Sequence, residues 1–112
     1  MSKPPIIRLE ELASARSGDK GNHANLGVVA KTPEAYAHLV RELTVERVQA
    51  FFAGLGLERV ERFELPRVGA LNFVLYNALA GGAGRSPRLD TQGKLLGTAA
   101  LEIELPTHAR PS

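Results

Sequence analysis

Ala15-Arg16-Ser17-Gly18-Asp19-Lys20-Gly21-Asn22-His23-Ala24-Asn25 is the stretch around which the rest of the chain is read. Gly18 and Gly21 stand among Arg16, Ser17, Asp19, Lys20, Asn22 and His23. Glycine reaches positive φ at little cost, so such a run can curl its amides towards one point. It reads as a polar loop joining two strands and as the functional loop of a small domain. Arg16 and Lys20 supply positive charge, the amides near Gly18 and Gly21 a nest for an anion, and Asp19 an orienting partner for Lys20. The competing reading is a tight turn in which Asp19 satisfies its own backbone. A turn alone does not call for Arg, Ser and Lys together, which favours a ligand site.

Outward from this stretch, period-two alternation predicts strands on both sides. Over residues 6–12, Ile7 and Leu9 alternate with Arg8 and Glu10; over residues 26–30, Leu26, Val28 and Ala30 share a face. Thr32-Pro33-Glu34 then opens a helix, with Thr32 as cap and Pro33 at the first position. Tyr36, Leu39, Val40 and Leu43 form its apolar stripe, and Val45, Val48, Phe52 and Leu55 continue beyond Thr44, either as one bent helix or as two. Gly54 and Gly56 stop the run. Residues 59–65 read as a strand closed by Pro66. Residues 70–79 read as an inner strand, with Leu71, Phe73 and Leu75 on one face and Asn72, Val74 and Tyr76 on the other. After Gly81-Gly82-Ala83-Gly84, a helix from about Thr91 into Ala99-Ala100 with an extended end is expected. The order is ββα(α)ββα, an α+β domain.

Other motifs carry less. Ser17 and Lys20 make a Ser-x-x-Lys pattern, but the glycines oppose the helix start it needs, and neither Ser-Asp-Asn nor Lys-Thr-Gly accompanies it. His23 is a candidate base or ligand, balanced against a loop residue that bonds the backbone. His38 is expected on the outer side of the first helix and His108 in the tail, so the histidines imply no metal site. Gly81 and Gly82 mark a second place where backbone can approach a ligand or partner. Asp90-Thr91-Gln92-Gly93-Lys94 fails the phosphate-loop pattern, because Leu95 follows where Ser or Thr is required.

Bulk properties narrow the class. The 112 residues amount to one domain, with residues 106–112 expected to form a flexible tail. Hydrophobic residues make up 44%, charged residues 23%, and the net charge is +2. Cations mostly alternate with acids, as in Glu58-Arg59-Val60-Glu61-Arg62, and aromatics are only 5%, so neither a basic face nor a stacking platform for nucleic acid is expected. There is no cysteine, which removes disulfides and thiolate metal sites. No apolar stretch approaches the roughly 20 residues of a membrane span, and no signal peptide is read, so a cytoplasmic setting is expected.

These residues resemble a known family. Ala15 to Gly21 with Asn25-Leu26-Gly27-Val28 is similar to the opening of the AtuA-like ferredoxin-fold domain of acyclic terpene utilisation proteins. Leu71-Asn72-Phe73, Gly81-Gly82, Arg85-Ser86 and Leu89-Asp90-x-Gln92-Gly93-Lys94 follow in the same order; Pro87 departs from the aliphatic residue expected after Ser86. The resemblance implies a ferredoxin-like sandwich, a four-stranded antiparallel sheet backed by helices, in a bacterial setting near acyl-CoA or terpenoid breakdown. It supplies no catalytic mechanism.

The expectation is a small accessory domain that binds an anionic small molecule, a carboxylate or CoA thioester, or completes the site of a larger acyl-CoA-metabolising partner. The ligand residues are Arg16, Ser17, Gly18, Asp19, Lys20, Gly21, Asn22, His23, Gly81 and Gly82, with no metal or cofactor. Exposed sheet edges add the expectation of a homo-oligomer. The alternatives are a free-standing enzyme using Asp19, Lys20 or His23 in acid–base roles, and a purely structural oligomerisation module.

Overall fold

The structure, a computed structural model, describes residues 5–20, 23–77 and 96–107. In chain order these form β1 (Ile6–Arg8), α1 (Leu9–Leu12), β2 (Ala13–Lys20), β3 (His23–Ala30), α2 (Pro33–Glu42), α3 (Val45–Phe51), β4 (Arg59–Leu65), β5 (Ala70–Tyr76), helical residues 96–100 and β6 (Glu104–Pro106). The main sheet is four-stranded and antiparallel, in the order β2-β3-β5-β4. The fold is α+β, as the sequence pattern predicts, and ferredoxin-like, as the resemblance implies.

One face of this sheet carries the core. Ala24, Leu26 and Val28 of β3 and Leu71, Phe73 and Leu75 of β5 are buried there beside Leu39 and Leu43 at α2 and Val48 of α3. Burying each large side chain contributes about 1.5–3 kcal/mol, so together they fix which way the sheet faces. Both helices start as predicted. Thr32 Oγ1 accepts from Ala35 N–H at 2.9 Å, with Pro33 at the first helical position. Thr44 Oγ1 accepts from Arg47 N–H at 3.1 Å, so the apolar run is two helices rather than one bent one. Gly56 ends the following turn at φ 69°. β5 is an inner strand, as its sequence pattern predicts, and β4 lies at the edge of the sheet.

Three segments depart from expectation. Residues 6–12 are not one strand: β1 ends at Arg8, and a helical turn follows that buries Leu9 completely. The cause is tertiary, since Leu9 N–H and Glu10 N–H donate to Ile103 O and Leu101 O at 2.8 and 3.0 Å. β1 pairs with β6 in a separate two-stranded ribbon. The polar stretch is not a curled loop between short strands either. Arg16 to Lys20 lie in β2, whose pairing with β3 runs from Ala13↔Ala30 to Lys20↔His23. The extended ladder rules out an anion nest over Arg16–Lys20; among the described residues positive φ occurs at Gly56, Gly69 and Asn77. His38, expected outermost on α2, is half-buried and donates from Nε2 to Pro106 O at 2.7 Å. The expected helix from Thr91 is described at residues 96–100, and its extended end is β6.

The helical residues 96–100 press directly on β2. Gly97 N–H donates to Ser17 Oγ at 2.9 Å. A Cβ at Gly97 would lie 2.8 Å from Arg16 Cα and 3.0 Å from Ser17 N, both backbone atoms that cannot swing aside. Helix propensity alone favours alanine over glycine by about 1 kcal/mol. Gly97→Ala is nevertheless expected to destabilise the fold by about 1–3 kcal/mol in chemical denaturation, because the clash is with backbone. Gly18→Ala, where a Cβ meets nothing within 4 Å, serves as the control and suffers no such clash.

Candidate functional site on the uncovered sheet face

The ladder that sends Ala24, Leu26 and Val28 inward sends their neighbours to the other face of the sheet. Read across β2, β3, β5 and β4, the register gives three rows on that face: Ser14–Val29–Ala70–Leu65, Arg16–Gly27–Asn72–Phe63 and Gly18–Asn25–Val74–Glu61. His23, Tyr76 and Arg59 make up the row beyond. Among the described residues no helix covers this face: Arg16, Gly18 and Asn25 are exposed, and Val29, Phe63 and Leu65 are 44%, 44% and 45% exposed.

The face is apolar at one end and polar at the other. Val29, Leu65 and Phe63 mark the apolar end. At the polar end the side chains are already joined. Tyr76 O–H donates to Glu61 Oε1 at 2.8 Å, and the Arg59 guanidinium lies 3.9 Å from the Tyr76 ring centroid. His23 meets Tyr76 edge-on, with ring centroids 4.9 Å apart. Asn77, at φ 60°, turns its N–H to donate to His23 Nδ1 at 2.9 Å, and its side-chain amide donates to Glu58 Oε1. Because Nδ1 accepts, the neutral ring carries its proton on Nε2 and offers a donor there rather than a base.

Between the two ends lies a gap. Gly27 and Gly18 are diagonal neighbours with no side chain. A Cβ at Gly27 would only graze Arg16 O and Asn72 Oδ1 at 3.9 and 4.0 Å, and one at Gly18 would meet nothing within 4 Å. Arg16, Asn25 and Asn72 border the gap by register. Among the described residues their side chains make no hydrogen bond or ion pair. Three polar side chains of two chemistries, guanidinium and carboxamide, are thus unengaged around exposed backbone, and can donate to a carboxylate, phosphate or amide oxygen.

The predicted site residues separate accordingly. Arg16, Gly18 and His23 lie on the uncovered face. Ser17 points the other way, where its Oγ accepts from Gly97 N–H, so it ties two parts of the fold together. Asp19 and Lys20 are paired with Ala24 and His23 in the ladder. Gly21, Asn22, Gly81 and Gly82 lie outside the described residues, as do Thr91 and Lys94. Asn77 and Gly97, near the two ends of the segment that carries Gly81 and Gly82, are both bonded to the β2–β3 hairpin, at His23 and Ser17. Sequence reading did not assign Asn25, Asn72, Tyr76, Glu61 or Arg59 to the site. The available signal was an asparagine in mid-strand, Asn72 between Leu71 and Phe73.

Tyr76 has an ionisation signature. The hydrogen bond to Glu61, partial burial and the Glu61 charge raise its pKa above the ordinary 10.0, while Arg59 pulls it down. A raised folded value means that the stabilisation is complete below pH 10.0 and is lost as pH rises through the folded pKa. Ultraviolet titration of phenolate formation is expected to show one tyrosine ionising above that ordinary value. Glu61→Gln should move that step down, and Tyr76→Phe should remove it.

A search of curated proteins finds no match, and neither does a search of solved structures. A family model does match: the AtuA ferredoxin-like domain, over residues 7–106. That span takes in the ribbon apart from Ile6, the four-stranded sheet and the face bearing Arg16, Gly27 and Asn72, and the chain therefore belongs to the AtuA ferredoxin-like domain family.

Proposed function

We propose that the domain is a binding module for an anionic metabolite, taken on the uncovered sheet face at the gap over Gly18 and Gly27. The observation that carries this reading is that Arg16, Asn25 and Asn72 are unengaged at its border, whereas Arg59 and Glu61 on the same face are held by Tyr76 and by each other. Arg16 takes the carboxylate or phosphate, the two asparagines take amide or carbonyl groups, and His23 Nε2–H adds a donor. The glycines let a flat ligand lie against the strands. A CoA thioester of acyl or terpenoid breakdown in a bacterial cytoplasm has these groups. The domain then serves as an accessory that presents such a ligand to a larger partner, and the donor character of His23 favours binding over acid–base turnover.

Calorimetric titration with a short acyl-CoA, and separately with the free carboxylic acid, tests this. Loss of one charge-assisted bond is worth about 1.5–3 kcal/mol. Arg16→Ala is thus expected to weaken binding by about ten- to hundredfold. Gly27→Val is expected to abolish it by filling the gap, with an unchanged circular dichroism spectrum. No heat with either ligand, or undiminished affinity in Arg16→Ala, counts against the proposal.

A further inference from the structure

β4 is an edge of the main sheet, and among the described residues no backbone hydrogen bond from another element reaches its outer side. It pairs only with β5, whereas the opposite edge strand, β2, has Gly97 packed against its backbone at Arg16 and Ser17. An open edge is a template for another strand, and proteins blunt such edges with charge. On β4 the charges alternate in sign, Arg59, Glu61, Arg62 and Glu64, around an exposed Phe63. We infer that a second copy of this chain pairs with β4, antiparallel and edge to edge, about a two-fold axis at Phe63. This inference is independent of the anion site.

Symmetry and charge select that register. A two-fold that pairs a strand antiparallel with its own copy runs perpendicular to the sheet. Residues directly opposite then share a face, and one residue sits on the axis facing itself. With Glu61 on the axis two carboxylates meet, and with Arg62 on the axis two guanidinium groups meet; like charges directly opposite are destabilising. Centring further towards either end of β4 leaves a much shorter ladder. With Phe63 on the axis, residues 61–65 pair. The two phenyl rings meet on the uncovered face, and on the helix face each Arg62 stands opposite Glu64 of the second copy. Arg62 is anchored for this role: its guanidinium donates to Val40 O and Leu43 O at 3.1 and 3.0 Å. Its own Glu64 lies 2.7 Å away and is still 48% exposed, so the carboxylate retains accepting capacity. The same charges that repel a slipped strand are complementary in this register. The contact is isologous and closes at two copies, giving one continuous sheet with both helical layers on the same side.

The chain has no cysteine, which makes a single introduced thiol an unambiguous reporter. Directly opposite Cα atoms in an antiparallel pair lie about 4.5–5.5 Å apart, within the disulfide range of about 4.4–6.8 Å. Phe63→Cys is expected to give a covalent dimer on mild oxidation, under conditions in which Glu61→Cys and Val29→Cys are largely not cross-linked. In sedimentation equilibrium the wild-type chain is expected to dimerise reversibly. Glu64→Lys, which sets a lysine opposite Arg62 of the second copy, is expected to raise the dimer dissociation constant at least tenfold. A chain that is monomeric at every concentration overturns the inference, as does Val29→Cys cross-linking as fast as Phe63→Cys. Unchanged dimerisation of Glu64→Lys overturns it equally.

Discussion

Ala24, Leu26 and Val28 of β3 stand opposite Leu75, Phe73 and Leu71 of β5, and the same three residues stand opposite Asp19, Ser17 and Ala15 of β2. Everything on the uncovered face follows from this registration. Side chains alternate strictly between faces, so a slip of one residue would move Leu26 and Val28 into solvent and Gly27 and Asn25 into the core. At about 1.5–3 kcal/mol for each large apolar side chain, that slip costs more than any polar contact on the outer face could return. The core therefore dictates where Arg16, Asn25, Gly27 and Asn72 stand, and the site inherits its geometry from packing on the other side of the sheet.

Beside the β3–β5 ladder, two side-chain hydrogen bonds tie the hairpin to the rest of the chain from opposite flanks. On β2, Ser17 Oγ accepts from Gly97 N–H; on β3, His23 Nδ1 accepts from Asn77 N–H. In each case a backbone amide without a strand partner is satisfied by a side chain of the polar stretch, which avoids the cost of an unmade bond. Arg16 and Ser17 are neighbours in sequence with opposite duties, because β2 turns them to opposite faces. The density of polar residues in this stretch thus reflects two demands at once, attachment on one side and exposure on the other.

That double demand explains what the sequence made legible. Where a buried face repeats at every second residue, or a cap is local, the pattern is legible: Leu71, Phe73 and Leu75 in β5, Leu26 and Val28 in β3, and the capped starts of α2 and α3 at Thr32 and Thr44. β2 has no such contrast. Ser17 faces inward and Gly18 carries no side chain, so period-two alternation vanishes and two glycines suggest a loop instead. The missing information was the donor that makes an inward serine acceptable, and Gly97 lies 80 residues away in sequence. The helical turn at Leu9 and the half-buried His38 were hidden for the same reason, since their partners are Ile103, Leu101 and Pro106. The site residues on β4 and β5 became visible only through register, although Asn72 in mid-strand was a local cue.

The exchange of a curled loop for a flat ladder changes what the site can hold. A nest gathers several amides onto one compact anion, as in phosphate loops. A sheet face spreads its groups instead, about 4.8 Å from strand to strand and about 7 Å between like-facing residues along a strand. Arg16 and Asn72 lie on either side of Gly27, on β2 and β5, while Asn25 is one like-facing step along β3. A compact anion is less suited to engage all three at once. An extended ligand can do so, if it carries a charged group at one end and amide or carbonyl oxygens one strand and one step away. In the proposed binding mode the spacing also separates charge recognition at Arg16 from neutral recognition at the asparagines. Loss of either should therefore weaken binding without abolishing it, whereas filling the space over Gly27 removes the surface that both share.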